Sequence, residues 1–109
     1  LYNKYRAKKV KIDDITFDSI LESSRYLHLK ELLEHNLISD LEIHPPYPCE
    51  VNGKKVCVYK ADFRYKNKQG ETVVEDTKGI ETPMFRLKKK LVEALYPDTE
   101  IIVVKKPKA

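Results

Sequence analysis

Five charged side chains stand where a plain α/β core has no use for them. At 100° per residue, the stretch after Ser19 sets Leu21, Tyr26, Leu29, Leu32 and Leu33 on one arc, with Glu22 near its middle. A carboxylate on a buried face needs a cation, a metal ion or a cavity, because burying it unpaired costs several kcal/mol or forces protonation. Glu22 also follows Ser19 at capping-box spacing, so a purely helix-capping role stays open. In Val56 to Tyr65, alternation puts Cys57, Tyr59, Ala61, Phe63 and Tyr65 on one face and Val56, Val58, Lys60, Asp62 and Arg64 on the other, which fixes Asp62 toward one side of a sheet. In Thr72 to Lys78 the same alternation groups Val74, Asp76 and Lys78, with Val73, Glu75 and Thr77 opposite. A surface ion pair worth about 0–1 kcal/mol would give the same pattern. Lys88 projects within the apolar arc of Met84, Phe85, Leu87, Leu91, Val92, Ala94 and Leu95, a similar anomaly, although a snorkelling lysine would give it too.

The elements that must position these groups follow from caps, turns and β-branched runs. Ser19 predicts a helix from about Ser19 to His35, with Asn36 as its stop. Leu41 to Ile43 reads as a short strand, and His44-Pro45-Pro46-Tyr47-Pro48 as an extended segment whose prolines exclude a helix or a central strand. Asn52-Gly53 predicts a hairpin turn between Cys49-Glu50-Val51 and one long strand, Val56 to Tyr65. A turn over 67–70, a strand Thr72 to Lys78 and a stop at Gly79 come next. Thr82-Pro83 opens a second helix to about Leu95, and Ile101 to Val104 is a buried last strand. The order is α-β-β-β-α-β plus an extra hairpin strand.

The 109 residues suit one domain, 1–109, with a basic N-terminal arm over about 1–11. At 41% apolar and 35% charged, with 3 Gly and 6 Pro, the chain reads as folded rather than disordered or collagen-like. No apolar run approaches the ~20 residues that span a bilayer, and no membrane partner is expected. Leu1 to Val10 is not a basic segment followed by an apolar one, so no secretion signal is read there and a cytoplasmic setting is expected. Cys49 and Cys57 are too few for a disulfide framework and match no zinc spacing; they read as reduced, buried or half-buried thiols.

The net charge of +4 conceals a segregation. The arm holds Lys4, Arg6, Lys8, Lys9 and Lys11 with no acid, residues 84–90 add Arg86, Lys88, Lys89 and Lys90, and the tail adds Lys105, Lys106 and Lys108, leaving an acidic body. That distribution suits a polyanion held by cationic arms while something acidic works on it, although lysine-rich ends are also simply well solvated.

Glu22 on a first helix, Asp62 on a strand and Asp76-Thr77-Lys78 on the next resemble the PD-(D/E)XK nuclease superfamily. The segments KYRAKKVKIDDITFDSILESSRYLHLKELL, YKADFRY, VVEDTKG and FRLKKKLVEALYP are similar to small phage and prophage proteins of the DUF1064 type, with Holliday-junction-resolvase-like members. Ala61-Asp62 stands where Pro-Asp is frequent, and leaves the aspartate in place. The resemblance implies a restriction-endonuclease-like α-β-β-β-α-β core, a mixed central sheet flanked by two helices. It implies a Mg²⁺- or Mn²⁺-dependent DNA endonuclease, structure-selective, acting in phage recombination or DNA processing in a bacterial or phage-infected cell. Glu22, Asp62, Asp76 and the Thr77 carbonyl would hold the ion, as hard oxygen ligands. Lys78 would position the water or stabilise developing charge, and Lys88 would reach a phosphate. The arm and the 86–90 cations would grip branched or duplex DNA, and the two nicks of a resolvase call for a homodimer. The other reading open at this point is a nuclease-fold DNA-binding or assembly protein with weak or no catalysis, in which the same acids are structural.

Overall fold

A computed structural model describes residues 8–105. The chain orders as β1 (Val10–Ile12), β2 (Ile15–Phe17), α1 (Ile20–Glu34), β3 (Ser39–Ile43), β4 (Pro46–Val51), β5 (Lys54–Lys60), β6 (Phe63–Lys66), β7 (Thr72–Thr77), α2 (Pro83–Leu95) and β8 (Ile101–Val104). The central sheet runs β3-β6-β7-β8. Its first two pairings are antiparallel and β7-β8 is parallel, so the sheet is mixed, and α2 is the crossover that a parallel neighbour requires.

Both helices begin where their caps place them. Ser19 Oγ accepts from the Glu22 N–H at 3.0 Å, and Thr82 Oγ1 accepts from the Phe85 N–H at 3.1 Å with Pro83 in the first helical turn. Each helix covers one face of the sheet. On the α1 side, Phe17, Tyr26, Leu29, Ile38, Phe63 and Tyr65 form one core, with Val73 packed against it. On the α2 side, Tyr59, Ala61, Val74, Phe85, Val92 and Ile101 belong to a second core that also takes Tyr47 and Cys49. Val73 and Val74 therefore serve opposite layers, as consecutive strand residues must.

The single long strand expected over Val56 to Tyr65 is two strands. At the break the Ala61 N–H donates to Pro45 O at 3.1 Å and the Asp62 N–H to Glu75 O at 3.0 Å, so the chain leaves the β4-β5 hairpin and enters the central sheet. Tyr59 and Ala61 face the α2 core while Phe63 and Tyr65 face the α1 core, so the expected common face of all five odd-numbered residues is corrected. Asp62 sits at the hinge between the strands rather than within one.

The segment 10–17 holds a hairpin, β1-β2, that the expected element order lacks. Asp13 and Asp14 take φ of 54° and 62°, the left-handed pair that a two-residue type I′ turn requires. Asp13 Oδ2 accepts from Tyr26 OH and Lys30 Nζ, each at 2.7 Å, which ties this hairpin to α1. Cys49 and Cys57 face each other across β4-β5 as free thiols, one buried and one half-buried. Among the described residues no helix is long and apolar enough to cross a membrane.

Candidate metal and phosphodiester site

At the end of the sheet where β7 gives way to the 78–82 loop, the first turn of α1 and the 61–62 hinge enclose a cleft of about 720 Å³. Glu22, Asp62, Thr77 and Lys78 line it. Three backbone devices aim these side chains. The Ser19 cap starts α1 so that Glu22 lies in its first turn, only 3% exposed. The hinge is held by the His44 N–H donating to Asp62 O at 2.9 Å. Asp62 Oδ2 accepts from both the N–H and the hydroxyl of Thr77 at 2.7 Å, which locks the aspartate to the end of β7.

The two oxygens of Glu22 are divided. Oε1 accepts from the Asp18 N–H at 3.0 Å, a capping-type bond, and Oε2 lies 2.8 Å from His44 Nε2. The capping reading and the site reading of Glu22 thus describe different oxygens of one carboxylate. Among the described residues, Glu22, His44 and Asp62 form a group whose ligand atoms all lie within 4.8 Å of one another.

Asp76 is placed differently from Glu22 and Asp62. It is 2% exposed, and it is flanked by the cleft-lining Thr77 rather than lining the cleft itself. Its Oδ2 accepts from Tyr59 OH, while Oδ1 is buried without a hydrogen-bond donor and faces Lys78 Nζ at 3.2 Å. Lys78 is braced by the Phe85 ring, whose centroid is 4.6 Å from Nζ. The expected Asp76 and Lys78 pairing on one face is therefore present, and Glu75 points the other way, into an ion pair with Arg25 on α1.

Burial pushes the Glu22 carboxyl up to about 7, with the neighbouring Asp62 charge as the next cause. Burial likewise lifts Asp76 to about 6, again reinforced by Asp62, while Tyr59 and Lys78 pull in the opposite direction. Asp62 is thus the charge shared by both other carboxylates. Burial and Asp76 together hold the Tyr59 phenol above its ordinary value, so it serves as a donor throughout the physiological range.

These shifts give stability a sign. A carboxyl whose folded-state pKa is raised binds its proton more tightly when folded, so its favourable contribution is lost as pH rises from the unfolded value toward the folded one. For Glu22 that window runs from 4.5 to about 7. Glu22→Gln, which does not titrate, is expected to gain melting temperature over the parent steadily across this window, then hold a constant advantage. Paired thermal melts from about pH 5 to about pH 8 check it, and a difference independent of pH would contradict the raised carboxyl.

The remaining predicted residues divide by position. Lys4 and Arg6 lie outside the described residues. Lys8 is exposed, Lys9 pairs with Asp18 at 3.0 Å and Lys11 approaches Asp14 at 3.8 Å. Lys9 is thereby docked on the cleft rim, since Asp18 lines the cleft. Arg86 and Lys90 are exposed, Lys88 is half-buried, and Lys89 pairs with Glu93 at 2.9 Å. The α2 arc is narrower than expected: Phe85 and Val92 are buried, whereas Met84 and Leu87 are exposed. Sequence reasoning missed His44, whose only local signal is a histidine leading a proline-rich segment straight after a strand.

The family model described as "Protein of unknown function (DUF1064)" matches residues 2–109. No curated protein and no solved structure matches the chain.

Proposed function

The chain belongs to the family described as Protein of unknown function (DUF1064), and for this member of it we propose a metal-dependent DNA endonuclease with a restriction-endonuclease-like core of the PD-(D/E)XK kind. The observation that carries the reading is the pair Glu22 and Asp62, two carboxylates converging on one cleft, with Lys78 on its wall and Asp76 behind. The order α1-β3-β6-β7-α2-β8 supports the core assignment, with β1-β2 and β4-β5 as added hairpins.

The donor set suits a divalent cation. Burial first, and the Asp62 charge next, force Glu22 toward protonation; neither carboxylate has a lysine or arginine partner among the described ion pairs, and a divalent ion would offset both causes. Glu22, Asp62 and the Thr77 carbonyl would be the oxygen donors for it, while Asp76, held by Tyr59 and Lys78 behind the cleft wall, would act on it through its charge and through Lys78. When bound, Mg²⁺ or Mn²⁺ would supply a nucleophilic hydroxide and neutralise charge on the phosphate. Lys78 Nζ, directed by Asp76 and braced by Phe85, stabilises the negative charge that grows on the phosphate oxygens. Thr77 holds Asp62 in one orientation through its two donors. Arg86, Lys88 and Lys90 on α2, with Lys8 and the rest of the arm, hold the DNA backbone.

The substrate we propose is branched DNA, cut by a homodimer in a bacterial or phage-infected cytoplasm. A second reading, a DNA-binding protein of the same fold without catalysis, is favoured by one observation: Asp62 and Asp76 already have protein donors, as structural acids would. Incubating the protein with labelled four-way junction, flap, nicked and linear duplex DNA, with and without Mg²⁺ or Mn²⁺, separates the two. The endonuclease reading expects metal-dependent products, greatest on branched substrates. Retention of every substrate uncut in both metals would leave the binding-protein reading.

The arm gives a further expectation. Deleting residues 1–9 is expected to weaken DNA binding and flatten the dependence of affinity on salt, by roughly one unit of slope for each phosphate that the arm neutralises in the parent. Binding isotherms at several salt concentrations measure it, and an unchanged slope would show that the arm does not touch DNA.

A further inference from the structure

We propose that His44 is itself a ligand of the ion in this cleft, which makes the centre a mixed imidazole and carboxylate site that takes Mn²⁺ in preference to Mg²⁺. The inference rests on the nuclease reading for the presence of an ion, and goes beyond it in naming a ligand and the direction in which that ligand shifts the choice between Mn²⁺ and Mg²⁺.

Geometry places the ring there. His44 Nε2 is 2.8 Å from Glu22 Oε2, and an atom of each of Glu22, His44 and Asp62 lies within 4.8 Å of the others. Two donors each about 2.1 Å from a shared ion stand about 3 Å apart when adjacent and about 4.2 Å when opposite, so small side-chain adjustments close the set. The backbone holds His44 in register with the site: its N–H donates to Asp62 O at 2.9 Å, and its φ of 56° is the left-handed conformation that turns the chain between β3 and β4. On the far side the ring packs near Phe17, with centroids 6.2 Å apart. Asp76 does not compete for this position, because Tyr59 OH occupies one of its oxygens and Lys78 faces the other.

Chemistry then sets the preference. Mg²⁺ demands near-octahedral oxygen coordination and keeps its waters, whereas an imidazole nitrogen adds affinity for divalent transition metals. The same nitrogen hydrogen-bonds to Glu22 Oε2, so one contact holds both residues in place. The alternative is that His44 only positions Glu22 through that bond.

The test uses the full chain, with MnCl₂ and MgCl₂ titrated separately by calorimetry and the Mn²⁺-loaded protein examined by pulsed EPR for coupling to a ¹⁴N nucleus. The expected result is Mn²⁺ affinity at least tenfold above Mg²⁺ and a nitrogen coupling in the parent. His44→Ala should lower Mn²⁺ affinity tenfold or more, bring the two ions together and abolish the coupling. His44→Gln, which retains an amide donor toward Glu22, should not restore either. The chain has only two other histidines: His28 beside Arg25 and His35 at the end of α1, so a coupling that survives in the His44 variants would come from elsewhere and overturn the assignment. Tight Mn²⁺ binding by the parent without nitrogen coupling would also overturn it while leaving the metal-dependent reading intact, and needs no variant to fold. A parent that binds neither ion would remove that reading and this inference together.

Discussion

Lys78→Ala is expected to keep its affinity for four-way junction DNA and to lose cleavage by a factor on the order of 10² or more, as removal of a donor aimed at transition-state charge does. Nζ lies 3.2 Å from Asp76 Oδ1 and 4.6 Å from the Phe85 centroid, so the ammonium is oriented before substrate arrives. Its removal also leaves a buried Asp76 oxygen with no facing charge and empties the space over Phe85; Lys78→Met, which keeps the stem there, separates the lost packing from the lost charge. Lys88→Ala, from another element, should lower affinity and cleavage together. Single-turnover cleavage beside equilibrium binding on one junction makes the comparison. A Lys78→Ala protein that cuts at the parental rate would reduce the Asp76 and Lys78 pair to a structural ion pair.

The largest effect on stability is expected on the other face of β7. Arg25 Nε and Nη2 donate to the two oxygens of Glu75, each at 2.7 Å, and both side chains are nearly buried, at 11% and 3% exposure. Tyr65 OH also donates to Glu75, and Arg25 Nη1 meets His28 Nδ1 at 3.0 Å. Arg25→Ala leaves Glu75 buried with a hydroxyl but no counter-charge, and is expected to cost about 3–5 kcal/mol. That is a large share of the roughly 5–15 kcal/mol that a domain of this size commands. The double variant Arg25→Met with Glu75→Leu is expected to recover most of the loss, because apolar replacement removes both desolvation costs. Urea denaturation midpoints of the parent, single and double variants check this; equal losses in the single and double variants would mean the pair is not what joins α1 to the sheet.

What could be read from the sequence follows how locally each feature is encoded. Ser19 and Thr82-Pro83 carry their capping chemistry within three residues, and both helices start where those residues say. Asp76 and Lys78 share a face because a strand's period is two, and that needs no tertiary knowledge. The break at Ala61-Asp62 is hidden for the opposite reason: both cores want apolar side chains at odd positions, so an unbroken alternation spans a chain that changes layers. In α1 the apolar arc is right for Glu22, Tyr26 and Leu29, which are buried, but Leu33 at its edge is exposed, and Ser23 and Arg25 are buried with them. The local pattern puts Glu22 inside but cannot name what meets it there: the partners of Glu22 and Arg25, His44 and Glu75, arrive from 22 and 50 residues away. His44 enters the site through a left-handed backbone conformation that a histidine adopts uncommonly.

The parallel pairing of β7 with β8 fixes an order for folding. Asp76 stands opposite Val103, and the Lys78 N–H donates to Val104 O at 3.0 Å, so the strand bearing both groups gains its second neighbour only after α2 and residues 101–104 have been made. A folding chain in which β7 has paired with β6 but not with β8 carries Asp76 on a strand with one flank unpaired, and the pairing that closes the flank is non-local. Until β8 docks, Asp76 and Lys78 stand on an incomplete sheet, so completing the sheet and setting this pair of charges in place become one event.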